Sequence, residues 1–156
     1  MFLLAMTIRF VNLLLAALSV GAMFGVWLVF NPKGLDGAGY VALQQQGIRT
    51  LNVVMPVMGA ATIAATLAAA VLAREDRTLL SLLVATAFAF LLAGLITRFL
   101  NQPINAIVIR WSPSSPPAEW MTLRDTWWRW HVARLVCGIA GLSLLILAEI
   151  VRDPAV

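Results

Sequence analysis

The sequence holds a single cysteine and a single histidine. Cys137 has no partner for an intramolecular disulfide, and no CxxC or Cys/His spacing suits zinc, so it reads as a small buried hydrophobe. One imidazole cannot supply the two or three His or Cys ligands, with a carboxylate, that a zinc or non-haem iron centre draws on. No cofactor is expected, although a lone axial haem ligand at His131 stays open. GxSxG, the Walker loop and the dinucleotide fingerprint are also missing, which leaves nucleophilic hydrolysis and nucleotide chemistry without support. No repeat of solenoid length occurs. Repeated halves and an acidic relay, the marks of a secondary transporter, are missing too.

Charge is scarce. Only 12% of residues are charged and 62% are hydrophobic, with a mean hydropathy of +0.91, whereas soluble domains are about 25% charged. The chain is therefore a membrane protein, expected in a bacterial inner membrane with the lipid bilayer as its surroundings. Its net charge of +4 sits on residues that flank or interrupt apolar runs, so no nucleic-acid partner is expected.

A helix needs roughly 20 apolar residues to cross a bilayer, and residues 1–156 form one transmembrane domain on this reading. Spans are expected at about 7–30, 48–73, 79–100 and 132–151, with an interfacial segment over 101–131. The first is longer than a signal-peptide core and has no charged segment before it, so it reads as a retained span. Asn31-Pro32-Lys33-Gly34 ends it, and a polar loop is expected to about Gly47. Arg74-Glu75-Asp76-Arg77 makes a tight turn between spans two and three. Asn101-Gln102-Pro103-Ile104-Asn105 is expected to interrupt the third helix, which restarts at Pro103. SPSSPP, from Ser112 to Pro117, favours extended backbone, and a last helix follows from about Ala118. The fold class is all-α: a four-helix bundle with a broken helix and an interfacial aromatic crown between spans three and four. Gly21 and Gly25 form a GxxxG, and with Gly59, Gly94, Gly138 and Gly141 they are expected to pack spans together within the chain.

A plain count of cations puts the end with Lys33, Arg49, Arg98, Arg110, Arg124 and Arg129 in the cytoplasm. Treating Arg98, Arg110 and Arg124 as site residues reverses that count, and the adopted orientation has both termini inside.

LRDTWWRWHVAR, Leu123 to Arg134, concentrates three tryptophans, three arginines and the histidine. Residues three or four apart share a helical face, so Trp120, Arg124, Trp127, His131 and Arg134 form one stripe. Asp125 and Arg129 are expected to pair, leaving Arg124 and Arg134 to find partners elsewhere, and Glu149 is expected to pair with Arg152. An arginine inside an apolar span costs from about 2.5 to over 10 kcal/mol unless it faces a bundle interior or a wet cavity, so Arg134 points to a polar interior. Asn101 and Asn105 share a face, and Arg49, Asn52 and Pro56 make a further stripe at the same end. These groups can converge on one pocket. An aromatic belt of interfacial tryptophan and snorkelling arginine accounts for part of the same pattern, and the asparagines also suit interhelical hydrogen bonding.

The spacing N-x-x-x-N-x-x-x-x-x-W at Asn101, Asn105 and Trp111, followed by W-x-x-x-R-x-x-W-x-x-x-H-x-x-R at Trp120, Arg124, Trp127, His131 and Arg134, resembles the anthrone oxygenase-like family of small four-span membrane proteins. The resemblance implies a monooxygenase that converts an anthrone methylene to a quinone carbonyl with O₂, without a dedicated flavin or haem. On that chemistry His131 is the candidate base, because imidazole titrates near neutrality. Arg124 and Arg134 would stabilise the developing anion, with Asn101 and Asn105 as neutral donors. Asn52 and the rings of Trp111, Trp120 and Trp127 would hold a flat, apolar aromatic or quinone-like ligand. The other reading is a non-catalytic subunit or small-ligand binder of a membrane complex, in which the crown docks a lipid headgroup, a cofactor, a membrane protein or a second copy of the chain.

Overall fold

The computed structural model describes residues 2–152. Four helical stretches long and apolar enough to cross a membrane account for most of it. Helix α1 covers Phe2–Val29, α2 Gly37–Leu72, α3 Arg77–Ile96, α4 Gln102–Val108 and α5 Trp120–Arg152. Helices α3 and α4 together make the third span. Each span packs on the next and the last on the first, so the four close into an antiparallel bundle.

Local chemistry sets the helix ends. Asn31 accepts from the Lys33 N–H at 3.1 Å and Pro32 opens a single tight turn, which reverses the chain after α1. Asp36 then caps α2 by accepting from the Gly39 N–H at 2.8 Å, satisfying one of the free donors of a helix start. Asp76 caps α3 in the same way, accepting from Thr78 and Leu79.

Two sequence expectations change here. Residues 37–47 are helical rather than a loop, because Asp36 starts the helix early and Tyr40, Val41, Gln44, Gln45 and Ile48 form one buried stripe. The interruption at Asn101–Asn105 is a widened turn rather than a gap. Over Thr97–Asn101 the ladder loosens by one residue, and the Gln102 N–H donates to the Thr97 carbonyl five positions back. Pro103, which has no N–H to give, falls in the first turn of α4, where that donor is not needed.

The bundle is apolar outside and partly polar inside, as a protein dissolved in lipid must be once its polar groups have paired. Val29, Val53 and Phe88 are largely exposed on its outer surface, while Asn12, Ser19, Thr62, Thr66, Thr86, Asn101 and His131 are buried. Ala16, Val20, Ala69, Leu83, Phe90 and Leu145 form the main core. A second, smaller core of Ile48, Ile104, Val108 and Trp127 lies toward the α1–α2 turn.

Glycine divides into two kinds. A Cβ on Gly138 would meet Met23 at 2.7 Å, and one on Gly141 would meet Phe90 at 2.8 Å, so both are close-packing contacts. Gly21 and Gly25 meet nothing within 4 Å, so the GxxxG does not pack a helix of the same chain. Glu149 pairs with Arg9 of α1 instead of Arg152, because α1 and α5 are neighbours and bring those two side chains together. Cys137 is half-buried rather than fully enclosed.

Candidate functional site

Three turns of α5 carry the centre of the site. Trp127 and His131, four residues apart, stack with ring centroids 5.2 Å apart and planes 1° from parallel. Trp128 covers the imidazole at 5.5 Å. His131 is fully buried. Its Nδ1 receives Arg134, from Nη2 at 2.9 Å and Nε at 3.2 Å. Guanidinium only donates, so Nδ1 is unprotonated and the neutral ring carries its proton on Nε2, which faces the Met23 backbone without a well-formed hydrogen bond.

Arg134 completes its contacts with Thr97 Oγ1 at 3.3 Å and the face of Trp127 at 5.8 Å. All of these partners are neutral. The ion pairs among the described residues join Arg9 to Glu149, Arg74 to Glu75 and Arg124 to Asp125, so the Arg134 charge is held in the span without a carboxylate.

The third span supplies amides. Asn101, at the end of the widened turn, donates to the Trp127 carbonyl at 3.0 Å. One turn on, Asn105 Oδ1 accepts from the Trp127 indole at 2.9 Å and from Gln44 at 3.2 Å, and its Nδ2 donates to Asn52 Oδ1 at 3.0 Å. Gln45 donates to the carbonyls of Val108 and Trp111 at 3.0 and 2.8 Å, closing the C-terminal end of α4. Pro56 removes the helical partner of the Asn52 carbonyl, and both residues line the same space.

That space is a cleft of about 500 Å³ between α1 and α2. Phe30 and Trp127, edge to face at 5.8 Å, form its aromatic wall. Asn52, Asn105, Gln44 and Thr97 give it polar edges, and Arg134 lies at its inner end. Among the described residues Arg134 is its only titratable lining residue. Exposed Val29, Leu43 and Gln46 stand at its rim, so it opens sideways between the helices.

The sequence-predicted residues therefore separate. Asn52, Asn105, Trp127 and Arg134 line the cleft, and His131 and Asn101 stand behind it in contact with its wall. Arg124 and Trp120 lie apart, with the guanidinium 4.9 Å from the Trp120 ring and that ring stacked on Tyr40 at 5.8 Å. Arg124 takes Asp125 at 2.9 Å, and Arg129 turns to Thr126. The expected Asp125–Arg129 pair gives way because the half-exposed Asp125 is taken by Arg124, whose side chain is only 11% exposed. Trp111 contributes its carbonyl to Gln45 rather than its ring to the cleft. Gln44, Gln45 and Thr97 were missed by sequence reasoning. The spacing Gln44, Ile48, Asn52 continues the Asn52 stripe and would have found the first of them.

A sequence model described as anthrone oxygenase matches residues 48–144, more than half of the chain. The chain belongs to the anthrone oxygenase family. The match takes in Asn52, Pro56, Thr97, Asn105, Trp127 and Arg134 of the cleft and leaves out Val29, Phe30, Leu43, Gln44 and Gln46. No curated protein and no solved structure is similar enough to match. Among the described residues no three His, Cys, Asp or Glu side chains converge as metal ligands, and those lining the cleft include one cation, neutral amides and an aromatic wall.

Proposed function

We propose that the chain is an integral membrane oxygenase that binds a flat aromatic carbon acid of the anthrone type in the α1–α2 cleft and oxidises it with O₂. The observation that carries this reading is Arg134, a guanidinium held at the inner end of the cleft by neutral partners only. Such a charge favours an anion beside it and lowers the pKa of an acid bound there. An anthrone that loses a methylene proton places its negative charge on the ring oxygen, within reach of one fixed cation and the surrounding amides.

The reaction balances without a reductant. The carbanion carbon forms a bond to one oxygen of O₂, the remaining C–H bond breaks as the O–O bond is cleaved, the carbon becomes a carbonyl, and the second oxygen leaves as water. Substrate supplies the four electrons that O₂ accepts. Among the described residues the cleft lining offers no carboxylate, imidazole or thiol, so the first proton passes to water at the mouth. His131 is a positioning residue on this account: its Nδ1 holds the guanidinium in place. Arg74 and Arg77, exposed on the α2–α3 turn, serve as the inner anchor that keeps both termini cytoplasmic, in a bacterial inner membrane.

The test is oxygen uptake by the purified protein in detergent with anthrone, beside a protein-free autoxidation control and Arg134→Gln. Uptake well above the control, and lost in the variant, supports the reading. Uptake equal to the control with anthrone and its hydroxylated derivatives overturns it.

A further inference from the structure

Arg134 has empty space on two sides. Beyond the cleft a second chamber of about 420 Å³ runs behind α2 toward the gap between α2 and α3. The two share Met23, Met55, Pro56, Thr97, Gln102 and Arg134, so the guanidinium stands at a neck between them. The chambers differ in chemistry. Around the first stand the amides of Asn52, Asn105 and Gln44, whereas Ile63, Phe90, Ala93 and Gly94 wall the second, with Arg98 at its exposed edge. Ser19 and Thr62 face each other there at 3.5 Å, and Thr62 also donates to the Met58 carbonyl.

Small residues make this second space. A Cβ on Gly59 meets no atom within 4 Å, and one on Gly94 reaches only Ile63 at 4.0 Å. Both were expected to bring helices together. They stand instead beside open volume, Gly59 half-buried and Gly94 exposed where the chamber meets the gap between α2 and α3, unlike the buried Gly138 and Gly141. A largely apolar chamber, continuous with a charged neck and a polar cleft, matches a ligand with the same order of chemistry.

We infer that the substrate is an elongated amphiphile: a flat aromatic head, ionised or carbonyl-bearing at Arg134, and an unbranched apolar tail that passes the neck and lies behind α2 in the Gly59–Gly94 chamber. The inference rests on the reading of the cleft as a substrate site. A lipid-dissolved tail suits entry from the side, between exposed Val29 and Leu43, because the bilayer already holds such a molecule at the depth of the opening.

The experiment maps the tail directly and needs no turnover. An anthraquinone carrying a decyl chain that ends in a diazirine is mixed with the full chain in detergent and irradiated, and labelled peptides are sequenced by mass spectrometry. Label on Ile63, Phe90 or Ala93, competed by the unmodified decyl-anthraquinone and lost in Gly59→Leu and in Gly94→Val, is the expected result. The two plugs stand on different helices, and the melting curve of each shows whether it folds. Label confined to outward-facing Val53, Val57 or Phe88, or unchanged by both folded plugs, overturns the inference. Chamber labelling without oxygen uptake would keep this ligand shape and remove the oxygenase chemistry. Uptake with anthrone but no chamber labelling would remove the tail alone.

Discussion

Arg134 grips the Nδ1 lone pair of His131 from two of its nitrogens, at 2.9 and 3.2 Å. The imidazole is thereby the acceptor of an internal bond, and the arginine is the group that meets the cleft. Which of the two works on substrate can be read from variants that separate acceptor from base.

Arg134→Gln removes the charge while keeping donors. Loss of a preorganised donor to a developing oxyanion costs about a hundred- to a thousandfold in kcat, and that loss is expected here in oxygen uptake. Arg134→Lys should restore part of it, since the charge returns but the planar fork that spans His131 and Thr97 does not. Equal activity in all three proteins would remove Arg134 from the site.

His131→Asn offers a carbonyl oxygen near the position of Nδ1, and His131→Leu offers nothing. A positioning role predicts that the asparagine variant keeps most of its turnover, while the leucine variant falls by about a hundredfold, the scale of a misplaced catalytic group. Equal inactivity in both folded variants would return the base role to His131.

Gln45→Leu leaves the Val108 and Trp111 carbonyls without their shared donor. A buried polar group stripped of its partner costs about 1–3 kcal/mol, so Tm in detergent should drop by several degrees. An unchanged Tm would mean that water or lipid headgroups take over the bonds.

Gly141→Leu should destabilise the bundle by about 1–3 kcal/mol or more, because the added side chain runs into the Phe90 ring. Gly21→Leu, on an exposed position with open space around it, should leave the monomer's melting curve in place. A destabilised Gly21→Leu would show that a second copy of the chain packs on the GxxxG face.

The four spans were readable from hydropathy alone, because nothing but a membrane suits so little charge. The α5 stripe was readable as well, since Trp127, His131 and Arg134 follow helical spacing, and the structure joins them by stacking and hydrogen bonds. Residues 37–47 were misread for a physical reason. In water a polar stretch faces out, but at the end of this bundle Gln44 and Gln45 turn inward to close the ends of another helix, and the outward residues are as mixed as any loop. Pairings across the bundle were out of reach for a different reason. Glu149 chooses Arg9, far off in the chain, over a neighbour one turn away, and only the packing of α5 on α1 decides that. Arg124 and Trp120 satisfied every spacing rule for the site and still stand apart from it, because a shared face says nothing of how far along the helix a cavity reaches.

The loosened turn at Thr97–Asn101 lets the third span hold one residue more than a regular helix of the same reach. Each residue of a helix advances the face by about 100°, so the extra residue absorbed there sets the angular phase of everything after it. Deleting one residue between Thr97 and Asn101 would close the turn and keep α4 in phase, whereas closing it at full length would swing α4 by that angle. With that swing Asn105 would leave Trp127, Gln44 and Asn52 together, and the Val108 and Trp111 carbonyls would turn from Gln45. A deletion in the Ser112–Pro117 loop only shortens a connection. Length can thus change by a residue on either side of α4, and the place that takes it up on the near side lies one turn before the amides of the cleft.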